Sequence, residues 1–274
     1  MLLNAADINF VRNIVFKRSG NVLGDGHNEL LESRLNRVAK DCGMRGVVEL
    51  VGSLRSGSTA DIVETIVDAV TINETRFFRD HGLFETLRTS VIPALIVQNK
   101  TRRAIRIWSA ACSSGQEPYS IAMLIRENFP ELDEWDVRIV ATDISDAILK
   151  RSQAGLYSQF EVNNGLPEPL LHRYFRQCGE VWQAKSQLRN MIDHRRLNLM
   201  DAWPFVDKFD LVFIRNILIY FDRTTKAEVL QRVNGVLYSN GYLFIGAAES
   251  LIGLNVPYRL GKNDGSPYYR PTTG

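Results

Sequence analysis

The apolar positions of this chain follow two rhythms, and the change between them divides it. In the first seventy or so residues they recur at helical spacing. Ile8, Val11, Ile14 and Val15 share one face, with Asp7 placed as an N-cap before them. Leu31, Leu35, Val38 and Cys42 make the buried stripe of a second helix, from about Asn28 to Cys42, with Gly43 as its stop. Residues 47–54 and 59–70 read as two shorter helices, the second carrying Ile62, Val63, Ile66, Val67 and Val70. The run Thr71 to Asp80, TINETRFFRD, interrupts this spacing. A helix then resumes near His81 with Leu83, Phe84, Leu87, Val91 and Ile92, and 99–103 is a polar linker.

Beyond that linker the pattern alternates between strand and helix. Ile105 to Trp108 is β-prone, Ser109 to Gly115 is a run of small residues, and Tyr119 to Ile125 is helical, with Pro118 tolerated in the first turn. Val137 to Ala141 is a second strand that ends in Thr142-Asp143. The alternation lapses from Gly155 to about His194. There 166–175 looks helical, while 180–184 and 188–194 look like short antiparallel strands, and a plain crossover has no need of so many residues. Regular α/β returns with a strand ending near Arg195 and the apolar FDLVFI from Phe209 to Ile214. An amphipathic helix over 223–238, a strand over 241–246 and a closing hairpin of 258–260 with 268–270 complete it. The expected fold class is therefore α/β, a doubly wound, mostly parallel sheet behind an all-helical segment. The expected domains are 1–72 (helical), 73–103 (connecting segment and helix) and 104–274 (sheet), with a small β subdomain inserted at about 172–195.

Composition narrows the function classes. At 274 residues, 45% apolar and 23% charged, the chain is an ordinary globular protein, and a net charge of +2 advertises neither nucleic acid nor an anionic membrane. Three widely spaced cysteines fit a reducing compartment rather than a disulfide framework. The first seven residues carry no basic, apolar leader pattern, and no apolar run reaches the roughly 20 residues that span a bilayer. The expected location is the cytoplasm.

Candidate chemistry centres on the turn after the first strand. Small residues let a flat ligand approach the backbone, yet the turn is neither GxGxxG nor a Walker loop, so phosphate cradling has little support. Glu117 at the helix start would repel a pyrophosphate and suits a cationic ligand; it is also a residue that any helix N-terminus favours. Asp143, at the carboxyl end of the second strand, is placed to hold ribose hydroxyls, or else to cap the next helix, for which Ser145 is an equal candidate. The four histidines are scattered and suggest neither a general base nor a metal site.

TINETRFFRD, WSAACSSGQEPYSIAM, ATDIS, the pair Leu197-Asn198 and FIRNILIYFD occur in this order over most of the chain. Together they resemble the chemotaxis-receptor glutamate methyltransferases, the CheR family. The resemblance implies a class I S-adenosylmethionine-dependent methyltransferase fold, Rossmann-like with an antiparallel last strand. It also implies methyl transfer from S-adenosylmethionine to glutamate side chains on the cytoplasmic helices of methyl-accepting chemotaxis proteins, in chemotactic adaptation, with S-adenosylhomocysteine as product. Carried over residue by residue, Asn73, Thr75, Arg79, Glu117, Asp143, Asn198, Leu199, Arg215 and Asn216 are the expected cofactor contacts. Arg79 is in addition the candidate for positioning the substrate carboxylate. Arg34, Arg37, Lys40 and Arg45, which on sequence alone form a solvated basic face, become candidates for docking the acidic receptor helices. The short turn around Gln177 to Glu180 implies an enzyme that does without a receptor-tail tether, recruited to membrane-bound receptors without inserting into the membrane. The competing readings are a methyltransferase for another substrate, a regulatory module that senses S-adenosylmethionine or S-adenosylhomocysteine without turnover, and a nicotinamide dehydrogenase.

Overall fold

The computed structural model describes residues 3–24, 26, 28–57, 60–71, 73–261 and 265–272. His27, the expected helix start at Thr59 and the boundary residue Ile72 lie outside them. The chain divides into two compact units.

The first unit, 1–72 with 198–202 and 219–226, is helical at its core. It contains α1 (Ala5–Ser19), α2 (Asn28–Asp41), α3 (Val47–Arg55) and α4 (Ala60–Val70). Of the residues expected to face inward, Val11, Val15, Leu35 and Ile66 are fully buried together, joined by Leu50 of α3. Two expectations are corrected. Asn4, not Asp7, caps α1, accepting the Asp7 N–H on Oδ1 at 2.9 Å; Asn is as good a cap as Asp, and the helix simply begins one turn earlier. Cys42 is exposed, because α2 ends at Asp41 and Gly43, at φ 73°, turns the chain away. The two later stretches are tied in by polar contacts. Arg18 pairs with Glu64 and, at 2.9 Å, with Asp201, and the Arg18 carbonyl accepts Asn198 Nδ2 at 2.6 Å. Val22 N donates to the Tyr220 carbonyl at 2.7 Å.

The second unit holds the remaining residues, including the connecting segment. Its strands are β1 (Ala104–Ala110), β2 (Asp136–Asp143), β3 (Leu156–Ser158), β4 (Phe175–Cys178), β5 (Val181–Ala184), β6 (Ile192–Arg196), β7 (Phe209–Ile214), β8 (Leu237–Ile245), β9 (Tyr258–Leu260) and β10 (Tyr269–Pro271). Seven of them form one sheet in the order β6-β2-β1-β7-β8-β10-β9, parallel from β6 to β8, with β10 inserted antiparallel between β8 and β9. FDLVFI is buried at every position, as a strand covered on both faces must be. The helix expected from His81 is interrupted by a π turn at Leu87–Val91. Pro93 explains it: with no N–H to give the carbonyl four residues back, the helix widens there. The polar linker is anchored by buried Asp210, which accepts Asn99 Nδ2 at 3.0 Å and Arg102 Nη2 at 2.7 Å.

The inserted subdomain differs from expectation. It is a three-stranded antiparallel sheet, β3-β5-β4, beginning at Leu156 rather than near 172. Residues 188–194 do not belong to it. Ser186–Arg189 is a helical turn, and Ile192–Arg196 pairs parallel to β2 in the main sheet. A five-residue strand carries no mark of its pairing partner, so periodicity alone cannot assign it to a sheet.

Candidate active site at the carboxyl ends of the central strands

In the order β6-β2-β1-β7-β8 the direction of chain progression reverses between β1 and β7. Ligands of open α/β sheets bind outside the carboxyl ends of the strands at such a reversal. The turn that leaves β1 is unusually tight: Ala111, Ser113 and Gly115 have φ of 55°, 51° and 95°. For Ala111 and Ser113, which carry a Cβ, this region is strained. Gly115 has a second constraint, since a Cβ there would lie 2.2 Å from Ser152 Oγ. The turn's own amides are largely spent. Cys112 N donates to the Thr142 carbonyl at 2.9 Å, Ser113 N to Asp143 Oδ2 at 2.9 Å, and Gly115 N to the Cys112 carbonyl at 3.1 Å. The turn therefore does not offer a pyrophosphate cradle.

It offers negative charge instead. Asp143, 5% exposed, is held by Ser113 N and, through Oδ1, by Ser145 N at 3.1 Å. Ser145, not Asp143, caps the following helix, accepting Ile148 N, so the aspartate is left at the strand end. Glu117 accepts Ser109 Oγ at 2.7 Å and Arg215 Nη1 at 2.6 Å. Burial, and then the charges of Asp143 and Glu117, push the Cys112 thiol well above its ordinary range, which registers the acidic field around the turn.

Arg215, at the end of β7, links these parts. Its side chain is 2% exposed and pairs with both Glu117 and Asp80, while Nη2 also donates to the Arg79 carbonyl at 3.1 Å. Its Nε is buried without a partner among the described residues. The connecting segment lies over the same turn. Ser113 Oγ donates to the Asn73 carbonyl at 2.9 Å, and Phe78 N donates to Ser120 Oγ at 2.9 Å. Phe78 and Asp80 bend the segment at φ of 47° and 67°. Thr75 and Arg79, with Glu74, Arg76 and Asn164, line a pocket of about 280 Å³, and Arg79 Nη1 donates to the Glu74 carbonyl at 3.2 Å.

The structure thus gathers Asn73, Thr75, Arg79, Glu117, Asp143 and Arg215 in the sheet unit. Asn216 follows at φ 59°, its N–H donating to Glu249 Oε2 at 3.0 Å. Asn198 and Leu199 fall in the helical unit. The Asn198 side chain is engaged at both ends, giving Nδ2 to the Arg18 carbonyl and accepting Met200 N at 3.0 Å, and Leu199 is buried. In that unit Arg34 Nη1 donates to the Val70 carbonyl at 2.9 Å beside an apolar groove of about 150 Å³, formed in part by Val22, Leu30 and Tyr220. Arg37 and Lys40 are exposed and share a shallow pocket with Asp41, while Arg45 reaches Glu49 at 3.7 Å. Sequence reasoning misses Asp80, Ser109 and Ser113. Asp80 closes a motif that is legible as a whole, but its pairing with a residue 135 positions later leaves no local signal.

A carboxylate at the end of β2, a second acid after β1 and a turn built of small residues fit an adenosine carrying a positive charge. Comparison with known proteins agrees. The model of the "CheR methyltransferase, SAM binding domain" matches residues 73–264. The chain belongs to the CheR methyltransferase family. It is an S-adenosylmethionine-dependent methyltransferase with the class I fold. The chain is 42% identical to chemotaxis protein methyltransferase 1 of Pseudomonas aeruginosa, over 93% of this chain and 94% of that one. It is 40% identical to chemotaxis protein methyltransferase Cher2 of Pseudomonas putida (94% and 96%), and 37% identical to the chemotaxis protein methyltransferase of Borreliella burgdorferi (88% and 86%). Among the described residues, no helix of the methyltransferase is long and apolar enough to cross a membrane.

Proposed function

We propose that this methyltransferase esterifies glutamate side chains on the cytoplasmic helices of chemoreceptors. The likeness to curated chemotaxis methyltransferases over nearly the whole of both chains carries the reading. When bound, S-adenosylmethionine supplies a methyl group on a sulfonium. Asp143 is the acceptor for its ribose hydroxyls, and Asn73, Thr75, Glu117 and Arg215 surround the rest, with Asn216 as a further contact. Arg79, on the segment laid over the turn, steers the incoming carboxylate.

A glutamate, with an ordinary pKa of about 4.3, is already an anion at neutral pH, so the chain has no base to provide. Its task is placement. A carboxylate and a sulfonium neutralise each other on the way to the transition state, so a site that aligns them and excludes water favours the reaction. The exposed cations of α2, Arg37 and Lys40, with Arg34 and Arg45, dock an acidic receptor helix. Cys178 pairs with Val181, so only Gly179 and Glu180 form the β4–β5 turn. Such a tight connection supports tether-independent recruitment.

The test is incubation with methyl-labelled S-adenosylmethionine and receptor-containing membranes, followed by mild base. Methanol released from a receptor-sized band is the expected result. Base-stable label would mark another substrate, and cofactor binding with no label on any receptor tested would mark a sensor.

A further inference from the structure

The three-stranded sheet reaches the cofactor turn through one side chain. Tyr157, in the middle of β3, is fully buried, and its hydroxyl donates to the Ser114 carbonyl at 2.8 Å. A Cβ on Gly115 would stand 3.0 Å from that hydroxyl, so the turn and the tyrosine are fitted to each other. The ring packs edge-on against Phe77, centroids 5.0 Å apart, and Phe77 meets Phe175 of β4 at 5.7 Å. Phe77 belongs to the segment that carries Asn73, Thr75 and Arg79. Its N–H donates to the Asn164 carbonyl at 3.2 Å, and a Cβ on Gly165 would meet the Phe77 carbonyl at 2.2 Å.

We infer that Tyr157 is a positioning residue for the cofactor, through which the three-stranded sheet sets the affinity of the site. The hydroxyl fixes the level of the turn and the ring fixes the segment above it. Neither part touches the reacting atoms. The coupling is reciprocal by linkage: whatever orders the turn must also order β3 and β5. It rests on the cofactor lying at this turn, and on nothing about the methyl acceptor.

Tyr157→Phe keeps the ring and removes only the hydroxyl. S-adenosylhomocysteine should then bind about fivefold more weakly, the effect of one lost hydrogen bond. The kcat at saturating S-adenosylmethionine should stay within about twofold. Tyr119→Phe is the control. Tyr119 is also buried and its hydroxyl also holds a carbonyl, that of Ser152 at 3.0 Å, but not one in the turn. It should lower thermal stability without moving the affinity. Unchanged affinity in Tyr157→Phe, or equal losses in both variants, overturns the inference. Should Tyr157→Phe not fold, hydrogen exchange on the wild-type chain decides. Saturating S-adenosylhomocysteine should slow exchange in β3 and β5 together with 113–116; protection confined to 113–116 overturns the coupling. A wild-type chain that binds no S-adenosylhomocysteine would instead refute the cofactor placement itself.

Discussion

The turn after β1 and the outer face of α2 both gather charge, on opposite terms. Around the turn, Glu117, Arg215, Asp80 and Asp143 are half-buried or buried, and the contacts described above leave the arginine and the three acids little freedom. On α2, Arg37 and Lys40 stand in solvent, and the acids Glu29, Glu32 and Asp41 on the same helix dilute their field. The first arrangement is preorganised: its geometry is fixed before any ligand arrives, at the cost of burying charges that must stay paired. The second has almost no geometry of its own and acts through a potential that salt can screen. Binding a small cofactor in one pose asks for the first; meeting long acidic helices in several registers asks for the second.

The largest effect should come from breaking the buried pairs. Arg215→Ala leaves Glu117 and Asp80 facing a cavity without their shared cation. Removing one partner of a buried pair costs about 3–5 kcal/mol, so urea unfolding should show a loss of that order, together with loss of S-adenosylhomocysteine binding by calorimetry. Wild-type stability in the variant would mean that the arginine is not what fixes the turn. Asp143→Asn comes next. It keeps the shape, removes the charge, and puts an amide group where one of the two backbone donors now points. Affinity for S-adenosylhomocysteine should fall on the order of 10- to 100-fold, as expected for hydrogen bonds to a charged group, while stability changes less.

The α2 face should respond differently. Because Arg34 is committed to the Val70 carbonyl, Arg37 and Lys40 are the cleaner pair to reverse. The double change Arg37→Glu, Lys40→Glu should raise the KM for receptor several-fold at low salt. The gap to wild type should close well above 0.1 M salt, where the Debye length drops below about 10 Å. The calorimetric affinity for S-adenosylhomocysteine should not move. A salt-independent defect would show that α2 acts through shape rather than charge.

This contrast also explains how much of the molecule is legible in its sequence. The stripe of Leu31, Leu35 and Val38 has helical period and FDLVFI is a short, nearly continuous apolar run, so both units can be read from the order of their apolar residues. The ordered motifs bring six of the expected cofactor residues to one end of one sheet. What stays hidden is non-local. The pairing of Asp80 with Arg215, the reach of Tyr157 to Ser114 and the place of Ile192–Arg196 beside β2 all join residues far apart in sequence. Asn198 shows the limit from the other side: its motif suggests a ligand contact, yet its amide is already engaged at both ends within the helical unit.

The smallest expected effect lies behind the turn. Ser152, whose hydroxyl a Cβ at Gly115 would strike, has that hydroxyl 2.7 Å from His194 Nε2 on β6. Burial lowers the His194 pKa from its ordinary value of 6.5, against a weaker upward pull from Asp193. The unfolded chain therefore takes up a proton before the folded one does. The stability owed to the neutral imidazole is complete above about pH 6.5 and is lost as the pH falls from there through the folded pKa. Urea midpoints of the wild type and of His194→Asn, measured at intervals from about pH 7.5 to 5.5, isolate this contribution, since every other titrating group is shared. The wild-type advantage should shrink steadily as the medium is acidified. An advantage that stays level would mean that the imidazole keeps its ordinary pKa on β6, and that the hydroxyl behind Gly115 is held by packing rather than by a neutral histidine.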